Sequence, residues 1–382
     1  MKVWKFAAAG VVSLWLIGLA LSARPAAQQP QMPAPGPGAK AGTFFKNVTS
    51  STLKDLSVDD FIGAMGVMAD SLGVDCSDCH PGAGSDRVDW VIDPARKKMA
   101  RNMAEMVAVI NKTNFGGAQK VSCWTCHHGR ITPATSIALD NLYDTPNSEL
   151  DDLVTPAPGA PSADSVFDKY IQALGGAQRV NSLKSWVATG KSVGYEALGG
   201  DAVFTMYANS PNQKSTLITY KDHPERGTSA WVFDGTRAWI KTPRALLAKY
   251  ETVGFELDGM RFEAQLNFPG SLKTALNNWR VGQDRSIGDK DYTVLQGTGP
   301  RGFLATLYFD KSTNLLFRMV RYGLSPIGRV LVQTDYGNYK DVGGIKFPFE
   351  WKFLWMDGRW TAQISDIKTN GAVDATKFNE PQ

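Results

Sequence analysis

All four cysteines of this chain lie in two short motifs of the same form, CxxCH. The first, "CSDCH", runs from Cys76 to His80, and the second, "CWTCH", runs from Cys123 to His127. Two cysteines three positions apart lie on one side of a helical turn, where their sulfurs can form thioethers with the vinyl groups of a haem. The histidine after the second cysteine then lies beneath the ring and binds iron. The sequence therefore predicts two covalently bound haems c, held by Cys76, Cys79, Cys123 and Cys126 and ligated by His80 and His127.

Three other chemistries use paired cysteines, and each leaves part of the pattern unexplained. A zinc site would use the four thiols and leave both adjacent histidines without a role. A thioredoxin-like redox pair needs a βαβ context, whereas the surroundings of both motifs are predicted to be helical. Two structural disulfides would not require histidines. Zinc and disulfides stay open as alternatives, and two haems c account for every residue of both motifs.

An amphipathic helix is predicted before the first motif. Ser57 is a good N-cap, with Asp60 three residues later. Apolar residues then recur at i, i+3, i+4 and i+7 spacing, which predicts one apolar stripe ending shortly before Cys76. The stripe contains Val58, Phe61, Ile62, Met65, Met68, Ala69 and Leu72.

A second helix precedes the second motif in the same way. Asp93 is the predicted N-cap, Pro94 takes the first helical position, and Gly116 and Gly117 end the helix before Cys123. One face carries Met99, Met103, Met106 and Ile110. Only one methionine of each stripe is needed as a sixth iron ligand, and core packing is the alternative role of the others.

Residues 45–133 resemble the repeated unit of the photosynthetic reaction-centre cytochrome c subunit. The segments that carry the resemblance are "FKNVTSSTLKDLSVDDFIGAMGVMADSLGVDCSDCH" and "ARKKMARNMAEMVAVINKTNFGGAQKVSCWTCHHG". In that family each haem lies alongside a helix that donates an axial methionine. The resemblance implies Met65 as the sixth ligand of the first haem and Met103 as that of the second. Met68 and Met106, one helical turn further on, are the alternatives.

Two departures limit what this resemblance implies. The four-haem members of the family have two further CxxCH motifs that this chain lacks, so a photosynthetic role does not follow. A two-haem relative in a respiratory or extracellular electron-transfer chain is expected instead. The family usually has arginine after the ligand histidine, where this chain has His128, for which we expect a surface or supporting role. Arg130 is a candidate partner of a haem propionate, because a guanidinium suits carboxylates.

The first residues of the chain predict export. Two lysines in "MKVWK" precede an apolar run over residues 6–23. This layout is typical of an export signal, and at about 18 residues the run is also just long enough to remain as a membrane anchor. We expect a periplasmic or otherwise extracytoplasmic protein, with anchoring to the inner membrane as the alternative to cleavage. The net charge of +4, from 41 basic and 37 acidic residues, indicates no nucleic-acid partner.

Composition divides the chain into two predicted domains and two linkers. Residues 1–23 are the signal peptide or anchor, and residues 24–42 are a Pro/Ala/Gln-rich disordered linker. Residues 43–145 form a mainly α dihaem cytochrome c domain that holds every cysteine. A Pro-rich linker, 146–163, leads to a cysteine-free domain, 164–380.

The second domain is predicted to be α+β. After one capped helix, short alternating runs of β-branched and aromatic residues predict a curved antiparallel sheet, a half-barrel around helices. One helical interruption is expected at about residues 244–279. The order of the segments, with "FDGTRAWI" in the middle and "YKDVGGIKFPFEW" near the end, resembles the outer-membrane lipoprotein carrier superfamily. Members of that superfamily take acyl chains on the concave face of the sheet.

The expected function follows from the first domain, because the second shows no catalytic pair. Alternating aromatic residues on one predicted strand favour ordinary core packing, and an apolar ligand is the alternative; they are Phe347, Phe349, Trp351, Phe353 and Trp355. The sequence therefore predicts an electron-transfer protein, not an enzyme, with redox proteins as partners. The alternatives are a dihaem, peroxidase-like enzyme with one open haem site, and a lipid-binding envelope protein with accessory haems.

Overall fold

The structure is a computed structural model. It describes residues 32–83, 88–133, 135, 153–194, 202–221, 224–243, 245–356 and 358–382. The predicted signal or anchor, residues 1–23, lies outside the described residues. Within the part of the chain that the structure describes, no helix is both long enough and apolar enough to cross a membrane.

Five helices form the described part of the chain before Pro133. They are α1 Ala41–Phe44, α2 Val58–Leu72, α3 Cys76–Cys79, α4 Ala95–Asn114 and α5 Cys123–His127. The predicted N-cap of α2 is confirmed, since the Ser57 hydroxyl accepts a hydrogen bond from the Asp60 N–H. The predicted start of α4 is wrong by one residue: Pro94 is the N-cap. Asp93 instead accepts two hydrogen bonds from the Arg101 guanidinium, at 2.8 and 2.9 Å.

The described residues after Pro133 form one antiparallel sheet with four α-helices. The helices are α6 Ala163–Leu174, α7 Ala177–Ser182, α8 Gly254–Leu266 and α9 Leu272–Ala275. The strands are β1 Ser185–Val193, β2 Ala202–Asn209, β3 Gln213–Tyr220, β4 Thr228–Phe233, β5 Ala238–Lys241, β6 Lys249–Thr252, β7 Asn277–Val281, β8 Arg285–Ile287, β9 Lys290–Thr298, β10 Leu304–Asp310, β11 Leu316–Ser325, β12 Gly328–Val342, β13 Ile345–Trp355 and β14 Gly358–Thr369. Their order is β6-β5-β4-β3-β2-β1-β14-β13-β12-β11-β10-β9-β7, with β8 paired to β9. The predicted antiparallel sheet with helices is confirmed.

One carboxylate shows how strongly this sheet curves. Glu263 on α8 pairs with Lys214 of β3 at 2.9 Å and with Arg321 of β11 at 2.8 Å. Strands β3 and β11 are six steps apart in the sheet order. In a flat sheet they would be separated by about 29 Å, at about 4.8 Å per step. The sheet must therefore curl around α8 for a single side chain to reach both strands.

The inner face of the sheet packs against α6 and α8 in the largest hydrophobic core. Val166, Phe167, Tyr170 and Leu174 of α6 belong to it, with Phe262 and Leu266 of α8. The aromatic stripe of β13 packs in this core as expected: Trp351 contacts Trp186 and Tyr336, and Phe353 stacks on Trp360 at 4.4 Å. A cavity beside Trp351 has a volume of about 50 Å³. That is room for a few waters, whereas ligand pockets measure roughly 300–1,000 Å³.

Three predicted boundaries differ from the structure. The interval 244–279 contains strand β6 and the start of β7 as well as α8 and α9, because Lys249–Thr252 pairs with β5. The end of the first linker packs, since Ala41 is fully buried and its N–H donates to the Leu56 carbonyl. In the second linker, residues 146–152 lie outside the described residues, and Val154 is buried against the sheet. The division into domains itself stays a prediction.

A second hydrophobic core joins the helical part to the sheet. Phe61, Ala64 and Val67 of α2 share it with Leu247 and with Ile327, which is 0% exposed. At the same junction the Asp59 carboxylate accepts a hydrogen bond from the Val253 N–H at 2.8 Å. Burial, the largest effect, raises the pKa of Asp59 to about 6 although its hydrogen bonds oppose this. The start of α2 is therefore fixed to the residue that precedes α8.

We expect Asp59 to make the stability of this junction depend on pH. Because the folded protein holds the Asp59 proton more tightly than the unfolded chain, its contribution is complete below about pH 4 and is lost as pH rises through about 6, by at most about 3 kcal/mol. Asp59→Asn keeps an acceptor for Val253 and removes the ionisation. Urea unfolding at pH 4 and pH 7 should show a smaller pH dependence in this variant. The exposed Asp366→Asn is the control, and equal pH dependence in both variants would refute the assignment.

Candidate haem-binding sites

Each CxxCH motif forms a single helical turn that is fixed by a capping box. In α3 the Asp75 carboxylate accepts from the Ser77 N–H, and the Asp78 carboxylate accepts from the Asp75 N–H. In α5 the Ser122 and Thr125 side chains make the reciprocal pair of bonds. Capping satisfies the N–H groups that a short helix leaves without partners. Both cysteine pairs are therefore presented at i and i+3 of a turn held by its own neighbours.

The four thiols lie at or near the surface. Cys76 and Cys126 are exposed, and Cys79 and Cys123 are half-buried. Burial raises the pKa of the Cys79 thiol, and it raises that of Cys123 to about 11. Within the described residues, no group of three or more His, Cys, Asp and Glu side chains is placed to hold a metal ion. The exposure of one sulfur in each pair leaves it accessible to a large planar group.

The two candidate iron-ligating histidines differ in their hydrogen bonds. The His127 Nδ1 atom lies 2.9 Å from the Arg130 carbonyl oxygen, which fixes Nδ1 as the protonated nitrogen. Nε2 then keeps a free lone pair, as a metal ligand requires. The His80 Nδ1 atom is buried and has no hydrogen-bond partner among the described residues, and its ring lies 5.0 Å from that of Trp90. Burial, with a smaller effect from Lys97, lowers the pKa of His80 to about 4, so the imidazole is neutral, as a metal ligand must be.

Helix α4 has an apolar stripe that the described protein does not cover. Met99 is 57% exposed and Met106 is 42% exposed, while Met103 lies between them and is half-buried. The face of α4 that packs on the protein is a different one, with Ala104, Val107 and Asn111 buried. An uncovered stripe of large apolar side chains needs an apolar partner. The apolar chemistry of the stripe suits the ring of a haem, and the second CxxCH turn packs beside α4.

The methionines of α2 lie at the edge of the second core. Met65 and Met68 are half-buried and pack against it, while Val67 on the adjoining face is 2% exposed. The predicted stripe is thus covered on one side and open on the other. The proposed ligands Met65 and Met103 lie on α2 and α4, as do their alternatives Met68 and Met106. His80 and His127 lie in the two CxxCH turns. Which methionine ligates which iron stays a prediction.

The two CxxCH turns are interlocked with both long helices. The Arg96 guanidinium at the start of α4 pairs with Asp78 of the first turn at 2.6 Å. The Gly129 N–H, just after the second turn, donates to the Ser71 carbonyl of α2 at 2.9 Å. Gly73, with φ of +64°, allows this approach, since a Cβ there would overlap the Gly129 carbonyl oxygen. Each motif therefore contacts the helix of the other repeat.

Sequence analysis missed a contact from the sheet to the second motif. The tip of the β11–β12 hairpin, Ser325–Gly328, lies against α5 and α2. The Cys123 N–H donates to the Ile327 carbonyl at 3.0 Å, and the Gln119 side-chain amide donates to the Ser325 carbonyl. The hairpin has the alternating pattern of any strand pair, so no local signal could have identified this contact.

Glu105 was also missed, although it fixes α4. Its carboxylate accepts hydrogen bonds from the Ser50 hydroxyl at 2.5 Å, the Ser51 hydroxyl at 2.7 Å, and the N–H and hydroxyl of Thr52 at 3.0 and 2.9 Å. These bonds, with that of Ser50 the strongest effect, lower the pKa of Glu105 to about 2. The loop before α2 and the middle of α4 are held together by a carboxylate that stays ionised at physiological pH.

The two remaining predicted residues lie at the end of α5. His128 is exposed and takes the left-handed conformation, with φ of +46°, that ends the helix, and its ring lies 5.4 Å from Trp124. This agrees with the surface role expected for it. Arg130 is exposed, and its carbonyl accepts the bond from His127. Its role as a propionate partner stays a prediction.

Comparison with families of known proteins gives a match over the part of the chain that contains both CxxCH motifs. Residues 18–155 match the family described as "Photosynthetic reaction centre cytochrome C subunit". This confirms the resemblance inferred for residues 45–133. The match indicates a cytochrome c-type role in electron transfer and implies covalently bound haem. Comparison with curated proteins gave no match.

Solved structures similar to the chain cover its sheet. A LolA superfamily protein from Nitrosomonas europaea is 16% identical, with a TM-score of 0.38, and the alignment covers 57% of this chain and 97% of that one. A DUF1329 family protein from Desulfovibrio piger is 11% identical, with a TM-score of 0.39, and the alignment covers 58% of this chain and 98% of that one. The lipoprotein LppX from Mycobacterium tuberculosis is 16% identical, with a TM-score of 0.20, and the alignment covers 56% of this chain and 100% of that one. Because these scores are low, the architecture described above rests on the strand order alone.

Proposed function

We propose that this chain is an exported dihaem c-type cytochrome that transfers electrons between redox partners. The observation that carries the proposal is the pairing of two capped CxxCH turns with two helices whose methionine stripes are left partly uncovered. Bound haem iron supplies one-electron chemistry by cycling between the ferrous and ferric states. The chain's own part is to hold the haems, to choose the axial ligands and to exclude water.

Each group of residues has a distinct task in this proposal. Cys76, Cys79, Cys123 and Cys126 form the thioethers, and His80 and His127 bind iron. The hydrogen bond from His127 to the Arg130 carbonyl orients the imidazole and increases its basicity. Hydrogen-bond acceptors have this effect on metal-bound histidines when they bind the ring nitrogen that does not hold the metal. Met65 and Met103 supply thioether ligands, which favour ferrous iron and raise the reduction potential. Arg130 is proposed to pair with a propionate.

The test is a spectroscopic count on the mature protein, made in a host that attaches haem c. Two thioether-linked haems per chain and the weak far-red band of methionine–iron bonds are expected. Met65→Ala and Met103→Ala should each remove about half of that band and keep both haems, because thioethers hold the ring without the sixth ligand. Met68→Ala and Met106→Ala are the matched controls and should keep the band.

The other outcomes separate the alternatives. Absence of bound haem would favour a zinc site or two disulfides as the role of the four cysteines. Two haems without the methionine band, of which one binds carbon monoxide at once, would favour the peroxidase-like enzyme. An apolar ligand of the sheet would require the helices to move, since the cavity of about 50 Å³ is far smaller than an acyl chain needs.

A further inference from the structure

The end of α4 and the turn of α5 carry an excess of positive charge. Between residues 106 and 133 the chain has three cationic side chains, Lys112, Lys120 and Arg130, and no acidic one. All three are exposed. The nearest acidic residue within α4 is Glu105, whose carboxylate is occupied by hydrogen bonds to the loop at residues 50–52. The segment beside the second CxxCH motif therefore carries a net positive charge, because it has no acidic residue to balance its three cations.

Hydrogen bonds bring two of these cations together at the end of α4. The Asn111 side-chain oxygen accepts from the N–H groups of Lys120 and Val121 at 3.0 and 2.9 Å, and its amide donates to the Val121 carbonyl at 2.8 Å. Lys112 is the next residue of α4. The segment that leads into α5 thus lies against the last turns of α4, so Lys112 and Lys120 flank the same turn.

Large apolar side chains lie between these cations. Val109 is 57% exposed and precedes Lys112 by one helical turn, and Phe115, which is 43% exposed, ends α4. Trp124 is 39% exposed and packs near Gly129, the neighbour of Arg130. We name these six residues the α4–α5 face: Val109, Lys112, Phe115, Lys120, Trp124 and Arg130. Val109 is about 120° around the helix from Met103 and about 60° from Met106, at about 100° per residue, so this face adjoins the methionine stripe.

We infer that the α4–α5 face docks an acidic surface of a partner redox protein. The inference rests on the proposed function and adds the partner's chemistry to it. Aromatic and aliphatic side chains ringed by cations have the composition of a protein interface, in which charge guides association and apolar groups supply contact. Three cations are fewer than the roughly 4–8 clustered Lys and Arg residues that bind anionic membranes. The observations therefore favour a protein partner over a lipid surface.

The first experiment measures how charge near the haem affects small oxidants. The reduced holoprotein is mixed with ferricyanide, an anion, or with tris(bipyridine)cobalt(III), a cation; each oxidation moves one electron from haem to probe. In Lys112→Gln/Lys120→Gln the rate with ferricyanide should fall several-fold at low salt, and the rate with the cation should rise. Arg130 is left unchanged, because it is also the candidate partner of a haem propionate. Lys191→Gln/Lys368→Gln removes the same charge from exposed positions of the second part of the chain and should leave both rates nearly unchanged.

The second experiment measures binding. A fluorescent peptide of twenty glutamates is titrated with the holoprotein, and sedimentation with phosphatidylglycerol vesicles is measured in parallel. We expect salt-sensitive peptide binding that is weakened in Lys112→Gln/Lys120→Gln and kept in Lys191→Gln/Lys368→Gln. Equal rates and equal peptide binding in both variants would overturn the inference, and so would binding of vesicles without binding of peptide. The haem count of each variant is measured separately, so a failure of the proposed function is distinguished from a failure of the docking face.

Discussion

Replacing Arg321 with methionine is expected to lower the free energy of unfolding by about 3–5 kcal/mol. The Arg321 side chain is nearly buried, with two hydrogen bonds to Glu256, at 2.8 and 2.9 Å, and one to Glu263 at 2.8 Å. Although burial raises it, the charges of Lys214 and Arg321 hold the pKa of Glu263 down to about 2. Without the guanidinium, the Glu263 carboxylate loses one of its two cationic partners and Glu256 loses two hydrogen bonds. Urea unfolding at pH 7 measures the effect.

The control for this prediction is Lys352→Met, which breaks an exposed pair with Glu350. Surface pairs contribute about 0–1 kcal/mol, so this variant should be nearly as stable as the wild type. In the wild type the stability from Glu263 is present above its unfolded pKa near 4.5 and is lost as pH falls towards about 2. If Arg321→Met and Lys352→Met were equally stable, α8 would be held by apolar packing alone.

Ile327→Ala is expected to lower the free energy of unfolding by about 2–5 kcal/mol. Ile327 is fully buried between α2 and α5, and its carbonyl accepts from Cys123. Removing its side chain leaves a cavity in the core that joins the helices to the sheet. Urea unfolding should therefore show reduced stability of the helical part as well as of the hairpin.

The matched control is Leu324→Ala, on the same hairpin but exposed. Surface substitutions of this kind change stability by about 0.5 kcal/mol or less. Hydrogen exchange of the backbone amides of α5 and of β13 reports the two parts separately. A loss confined to the sheet signal in Ile327→Ala would show that the hairpin does not support the second motif.

The local elements of this fold were predictable because their signals are local. The cap of α2, the glycines that end α4 and the alternating strands of the sheet follow from neighbouring residues. The CxxCH turns likewise carry their chemistry within five positions. Even Asp93, an expected cap, was misplaced only because the Arg101 guanidinium competes for its carboxylate and Pro94 takes the capping position.

The parts that were not predictable depend on residues distant in sequence. Ile327 is one apolar residue in a turn, and nothing around it indicates that its carbonyl meets Cys123. Glu105 had the pattern of an exposed helix residue until the loop at Ser50 supplied its donors. Val154 lies in a Pro-rich segment with the composition of a linker, yet its N–H donates to the buried Gln296 side chain. In each case the contact is made with a residue far away in the sequence, so the residues around it give no signal of it.

The hairpin under α5 also fixes an order of events in time. The Gln119 to Ser325 bond joins residues 206 positions apart. Because a chain is synthesised from its N-terminus, both CxxCH turns exist long before the hairpin that supports the second one. Until β11 and β12 are synthesised, α2 and α5 lack the packing surface that the tip of this hairpin supplies. The helical part that carries both cysteine pairs is therefore not completely folded. Under the proposed function, Cys123 and Cys126 can therefore be joined to haem before the hairpin that packs against their turn has been synthesised.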